Sequence, residues 1–280
     1  MTETDLHHQT PASPEGERPI FVVGCQRSGT TMLRLMLDSH PRICCGPETR
    51  FLEDLERIVD TDWQRLSQYG FSREDWLRRI RDFFGGFQND YAASKGKPRW
   101  ADKTPRYALH IPFLLEVFPD AQIVHVIRDA RDVAVSHRKR FGYWSSVKST
   151  VKWGQYIRAA RGAGAGLRPD QYLELRYERL VGDTEQAMRE LLDFLGEEWD
   201  PEILDFANKK HDVPDRYHRQ LAERKATSGT KGNVYASRVG SHARELDPIL
   251  KTMIWGTSRH ELRDLGYDKE PGGAKDAARS

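Results

Sequence analysis

Gly24-Cys25-Gln26-Arg27-Ser28-Gly29-Thr30-Thr31 sets two glycines around an arginine and follows them with paired hydroxyls, a set suited to holding an anion. The backbone N–H groups of such a loop, and those opening the helix after it, point at negative charge. Arginine adds a planar fork of donors that fits a phosphate or sulfate oxygen. The spacing is that of a P-loop, yet Thr30 stands where the ATP- and GTP-binding form carries lysine. The loop therefore suits an anion near the turn, and ordinary nucleoside triphosphate chemistry is not implied. A second basic stretch runs from Arg128-Asp129 through Arg131-Asp132 to Ser136. Arg128 ends a β-branched run, and Ser136 falls two helical turns further on. Asp129 as a helix cap and Asp132 as the partner of Arg131 are the structural roles expected there. Two anion sites on one sheet edge imply a ligand phosphorylated at two places.

Both stretches need strands to deliver them. Ile20 to Val23 reads as a buried strand, and Thr30 to near Ser39 as its helix, stopped by His40-Pro41. From 51 to 96, Trp63, Leu66, Trp76, Leu77, Ile80, Phe83 and Phe84 recur at helical spacing, so helices should cover one face of a sheet. A helix over 107–118 leads into a strand over 122–127 and a further helix. Another strand is expected over 172–177, then a helix to Leu195 closed by Gly196. Gly162 to Gly166 reads as a flexible connector, because no apolar strand precedes it. Alternating strands and helices predict an α/β fold of three layers, a P-loop fold with a central, mainly parallel sheet and helical insertions. The aromatics at 51–100, with Phe141, Tyr143 and Trp144, are assigned to the core by default.

The chain of 280 residues carries 44 basic and 42 acidic residues, a formal charge of +2. That balance points to neither nucleic acid nor a membrane as partner. Cys25, Cys44 and Cys45 fit no zinc spacing and read as reduced thiols of a cytoplasmic protein, and no metal is expected. Residues 1–18 are polar without an apolar signal region, and no apolar run approaches about 18 residues. The expected organisation is a disordered tail over 1–18, one domain over 19–267 and a disordered tail over 268–280, with oligomeric state left open, a homodimer included.

Gln26-Arg27-Ser28-Gly29-Thr30-Thr31-Met32-Leu33 resembles the 5′-phosphosulfate loop of sulfotransferases that use 3′-phosphoadenosine 5′-phosphosulfate, and Ile127-Arg128-Asp129 through Ser136 resembles their 3′-phosphate motif. Asp102-Lys103-Thr104-Pro105, the run Leu173 to Leu180, Asp193-Phe194-Leu195-Gly196 and Leu265-Gly266-Tyr267 extend the likeness along the chain. The stretch Leu37 to Pro41 and Cys45 to Arg50 is similar to the branch that holds tyrosylprotein sulfotransferases and bacterial small-molecule relatives. The resemblance implies sulfuryl transfer to a hydroxyl, with adenosine 3′,5′-bisphosphate as product and a small-molecule alcohol, phenol or sugar favoured as acceptor. It implies Glu48 as general base, Lys103 on the bridging or sulfate oxygens, and Arg27 with Ser28, Gly29, Thr30 and Thr31 on the 5′-phosphosulfate. Arg128 and Ser136 would hold the 3′-phosphate, and Tyr177 the adenine side. Ser228 and Arg238, in a polar, glycine-rich segment resembling the loop that folds over the nucleotide, would approach the two phosphate sites. Transfer of this kind needs a base for the acceptor proton and cations for the growing charge.

Other uses stay open. Glu48 also suits a first-turn glutamate, Lys103 a solvated lysine after a short strand, and Tyr177 the core. His40, His110 and His137 are alternative bases, whereas His125 lies mid-strand and reads as buried structure. A P-loop kinase would need Asp129 as magnesium ligand, and a noncatalytic nucleotide-binding protein would keep the cradle without the reaction.

Overall fold

The computed structural model describes residues 18–212 and 238–268. Ile20–Gly24 forms β1, buried throughout. Its alternate side chains feed two different cores: Ile20 and Val22 face one cluster, Phe21 and Val23 the other. A strand covered on both faces reads as a continuous apolar run. β1 is flanked by β3 (Arg99–Lys103) and β4 (Gln122–Ile127), with β2 (Ile43–Cys45) beyond β3 and β5 (Tyr172–Arg176) beyond β4. All four pairings among the five strands are parallel, in the order β2-β3-β1-β4-β5. The chain first winds from β1 to β2 and β3, then crosses to β4 and β5, so strand order reverses at β1. Ligands of open α/β sheets bind at the carboxyl edge of that reversal.

One face of the sheet is covered by α1 (Thr30–Ser39), α8 (Tyr177–Gly182) and α9 (Thr184–Leu195), through Leu33, Leu37, Leu180, Met188 and Leu191. The other face carries α2 (Phe51–Thr61), α4 (Arg73–Ser94), α5 (Ile111–Val117), α6 (Ala130–Phe141) and α7 (Tyr143–Gly164). Phe21, Phe84, Trp100 and Phe118 meet there with ring centroids 5.6 to 6.5 Å apart, Phe21 stacked with Phe84 and the other pairs edge-on or tilted. A short α3 (Trp63–Leu66) links α2 to α4, and α10 (His242–Glu245) and α11 (Pro248–Asp264) pack outside α6 and α7. The architecture is α/β in three layers around a parallel sheet, as its alternating pattern predicts.

Several elements differ in detail. The helix expected over 107–118 is a 3-10 turn, Pro105–Leu109, followed by α5, which starts at Ile111 because Pro112 is tolerated only in a first turn. The helix after β5 is two helices, since Asp183 caps α9 by accepting from the Gln186 N–H. Gly162 to Gly164 belongs to α7, whose buried Trp153, Ile157 and Ala160 carry the helix through glycine. β2 was not anticipated, being three residues long and defined only by its pairing to β3. Of the aromatics assigned to the core, Phe141 and Trp144 are 57% and 76% exposed and Tyr143 is also exposed. Phe83 lies exposed beside the fully buried Phe84, because α4 packs one face only.

Candidate functional site

Gly24 leaves β1 with φ 145°, and a Cβ there would stand 2.4 Å from the Val126 carbonyl oxygen, so only glycine allows β1 and β4 to run this close. Arg27 takes φ 74°, an uncommon conformation for a side-chain-bearing residue, and Gly29 φ 99° as the cap of α1. A Cβ on Gly29 would strike the Tyr177 ring at 2.3 Å. That ring, buried at the start of α8, fills the space under the loop, and the Arg128 guanidinium stacks on it 4.3 Å from the centroid. The structure thus sets Tyr177 as a support beneath both anion motifs. Ser28 Oγ is buried with no hydrogen-bond partner among the described residues.

Arg128, at the end of β4, donates to the Arg27 carbonyl (3.2 Å) and the Arg238 carbonyl (2.9 Å). Its Nε is buried and has no hydrogen-bond partner among the described residues. Arg27 Nε donates to Ser136 Oγ at 3.1 Å. Arg27, Arg128, Ser136 and Arg238 line one cleft of about 330 Å³ together with Lys139 and Arg140. Lys139 and Arg140 were not singled out in the sequence, although they fall three and four residues after Ser136, the spacing of a shared helix face.

The acids of this region differ from expectation. Arg131 pairs with Asp129, not with Asp132: its Nη2 reaches Asp129 Oδ2 at 2.6 Å while Asp129 also caps α6 through the Arg131 N–H. Two residues of separation let the carboxylate cap and chelate at once. Asp129 is therefore occupied where a kinase would need a free magnesium ligand. Asp132 accepts from the Gly240 and His242 N–H groups, from Ser241 Oγ and from His242 Nδ1, all within 2.9 to 3.0 Å. Burial alone would raise its pKa, but the His242 hydrogen bonds and the Arg128 charge hold it below the usual carboxylate value. This carboxylate staples the segment bearing Arg238 to α6. Ser228 lies outside the described residues.

On the other flank, Lys103 ends β3 in register with Val22 of β1, its side chain buried and ion-paired with Glu48. Glu48 is 40% exposed in the loop after β2. Next to it Thr49 Oγ1 donates to Asp102 Oδ2 at 2.6 Å, and Tyr107 OH meets both Thr49 Oγ1 and the Leu52 N–H. Burial pushes the Asp102 carboxyl up to about 6, against the Thr49 hydrogen bond and the Lys103 charge. Glu48, Lys103, the Gly24–Gly29 loop, Arg128 and Tyr177 all follow the carboxyl ends of neighbouring strands.

The histidines have other work. His40 Nε2 donates to the Glu198 carbonyl at 2.9 Å, and its Nδ1 accepts from the Arg42 N–H. His110 is paired with Glu56. His125 is fully buried against the Tyr172 hydroxyl, 2.7 Å away, and burial drives its pKa down to about 3. Burial, then the Arg27 charge, lowers His137 to about 4.

The model of the sulfotransferase family matches residues 19–201. The chain belongs to that family. A putative protein-tyrosine sulfotransferase of Caenorhabditis briggsae is 32% identical over 199 residues, covering 67% of this chain and 69% of that protein. Among solved structures, the sulfotransferase domain of the Synechococcus PCC 7002 olefin synthase superposes with a TM-score of 0.63 at 20% identity, over 90% of this chain and 98% of that one. A mouse sulfotransferase complexed with PAP gives 0.53 at 17% identity, over 90% and 87%. Both share the fold of this sulfotransferase. The chain spans 69%, 42% and 51% of the lengths of three protein-tyrosine sulfotransferases that it matches. No described helix is long and apolar enough to cross a membrane.

Proposed function

We propose that this sulfotransferase takes its sulfuryl group from 3′-phosphoadenosine 5′-phosphosulfate and passes it to the hydroxyl of a small-molecule alcohol, phenol or sugar. The observation that carries the reading is a pair of buried, unpartnered polar atoms, Ser28 Oγ and Arg128 Nε, one in each anion motif of a single sheet edge. Buried polar groups are normally hydrogen-bonded, so a ligand with two separate anionic groups fits both. When bound, the nucleotide supplies a sulfuryl group on a phosphate leaving group.

The protein's own groups then divide the work. Arg27, Ser28 and the N–H groups of Gly29, Thr30 and Thr31 hold the 5′ end at the N-terminus of α1. Arg128, Ser136 and Arg238 hold the 3′-phosphate in the cationic cleft. Glu48 takes the proton of the acceptor hydroxyl as its oxygen becomes the nucleophile. Lys103, released from Glu48 by the arriving reactants, neutralises charge on the sulfuryl and bridging oxygens, and the loop N–H groups hold the charge left on the phosphate.

Calorimetric titration with adenosine 3′,5′-bisphosphate, against 5′-AMP and magnesium ATP, tests this reading. Selective tight binding of the bisphosphate is expected. Equal or tighter binding of magnesium ATP would overturn it in favour of a kinase.

A further inference from the structure

Ser136 and His137 are neighbours on α6 yet serve different clefts. Ser136 lines the cationic cleft with Arg27 and Arg128, whereas His137 lines a second cleft of about 300 Å³ that shares none of the first cleft's lining residues. Cys25 and Gln26 of the loop line it, Arg106 comes from the turn after Lys103, and Lys148 and Lys152 come from α7. Phe141 and Tyr156 supply apolar wall.

Two features tie this cleft to the point of transfer. It shares the Gly24–Gly29 loop with the anion site. A chain of charges also leads from it to the segment that bears the candidate base: Glu53 meets Arg106 at 2.8 Å and Arg50, two residues after Glu48 in sequence, at 3.5 Å. Its electrostatics are one-sided. No carboxylate among the described residues lines it, and Arg106 is engaged by Glu53. Lys148 and Lys152 stand four residues apart on one helix face, where like charges repel, and neither has an ion pair or hydrogen bond among the described residues. Burial raises the Cys25 thiol to about 12 and lowers His137 to about 4, so both are neutral near pH 7 and offset none of that charge.

Resting on the sulfuryl-transfer reading above, we propose that this cleft binds the acceptor and that the acceptor carries a carboxylate set against Lys148 and Lys152. The volume lies at the small end of ligand pockets, about 300 to 1,000 Å³, and fits a compact hydroxy acid whose hydrocarbon body packs on Phe141 and Tyr156. The acceptor's hydroxyl then faces the loop and the Glu48 side, and its charge lies toward α7.

The test titrates the full chain, saturated with adenosine 3′,5′-bisphosphate, with 4-hydroxybenzoate, 4-hydroxyphenylacetate and 3-(4-hydroxyphenyl)propanoate, each beside its uncharged methyl ester. At least one acid should bind about tenfold tighter than its ester, the worth of one charge-assisted hydrogen bond. That preference should vanish in the Lys148→Gln, Lys152→Gln double variant, whose exposed positions leave the fold and the bisphosphate affinity intact. Acids and esters binding alike, no acid binding at all, or a preference that survives in the double variant would each overturn the proposal. Failure of the bisphosphate itself to bind wild type is a separate result, and it removes the donor reading instead.

Discussion

The β4–β5 flank of the sheet edge and the β3–β2 flank are built on different terms. On the first, the charged groups make multiple contacts: Arg128 with two carbonyls and the Tyr177 ring, Asp132 with four donors, Asp129 with both the N–H and the guanidinium of Arg131. Tyr267 takes part as well: it donates to Glu178, which in turn accepts from the Asp129 N–H. On the second flank the proposed reactive pair has one principal contact, Lys103 with Glu48, and Glu48 stands half in solvent. A rigid, pre-paired surface limits the ordering cost of binding an anion. A base has to reach an acceptor that arrives from water, and an ion pair open on one side can be parted by that acceptor.

Substitution on the reactive flank should therefore separate turnover from binding most sharply. Glu48→Gln keeps the shape and loses the proposed base, so turnover should fall about 10²- to 10⁴-fold while bisphosphate affinity stays unchanged. Calorimetry and a turnover assay on the same preparation check this, and a variant with normal turnover removes Glu48 as base. On the anion flank, Arg128→Ala should do the reverse. Loss of a charge-assisted hydrogen bond worth about 1.5 to 3 kcal/mol predicts bisphosphate binding weaker by about 10- to 150-fold. Unchanged affinity would discard the 3′-phosphate role for Arg128.

The two flanks were also unequally legible in the sequence. The loop from Gly24 to Thr31 announces itself because its glycines, cation and hydroxyls are consecutive, and Arg128 and Ser136 lie two turns apart on one strand-to-helix stretch. Glu48 and Lys103 stood out through family resemblance, and their pairing across 55 residues follows from adjacent strand ends. The Asp132 contacts to residues 240–242 span 108 to 110 residues, and local spacing instead suggested Arg131 as its partner. For Tyr177 the resemblance implies the adenine side and the strand end allows the core, and nothing in the sequence shows that its ring fills the space left by Gly29. The exposed aromatics Phe83, Phe141 and Trp144 escaped for the same reason: hydrophobicity says that a side chain is apolar, and packing decides whether anything covers it.

The smallest expected effect probes how much of the anion flank's order rests on one charge. Asp132→Asn keeps the shape and one acceptor oxygen, so it should cost about 1 kcal/mol of stability at pH 7. The native pKa of Asp132 lies below the ordinary value of 3.8. Its charged form therefore contributes stability that is fully present above that value and is lost as pH falls through the lower native pKa. The gap between wild type and Asp132→Asn in urea midpoint should accordingly hold from pH 7 to about 5 and narrow below about 4. A gap that persists unchanged to pH 3 would mean that the Asp132 charge does not hold the Arg238 segment, and that hydrogen-bond shape alone secures this flank.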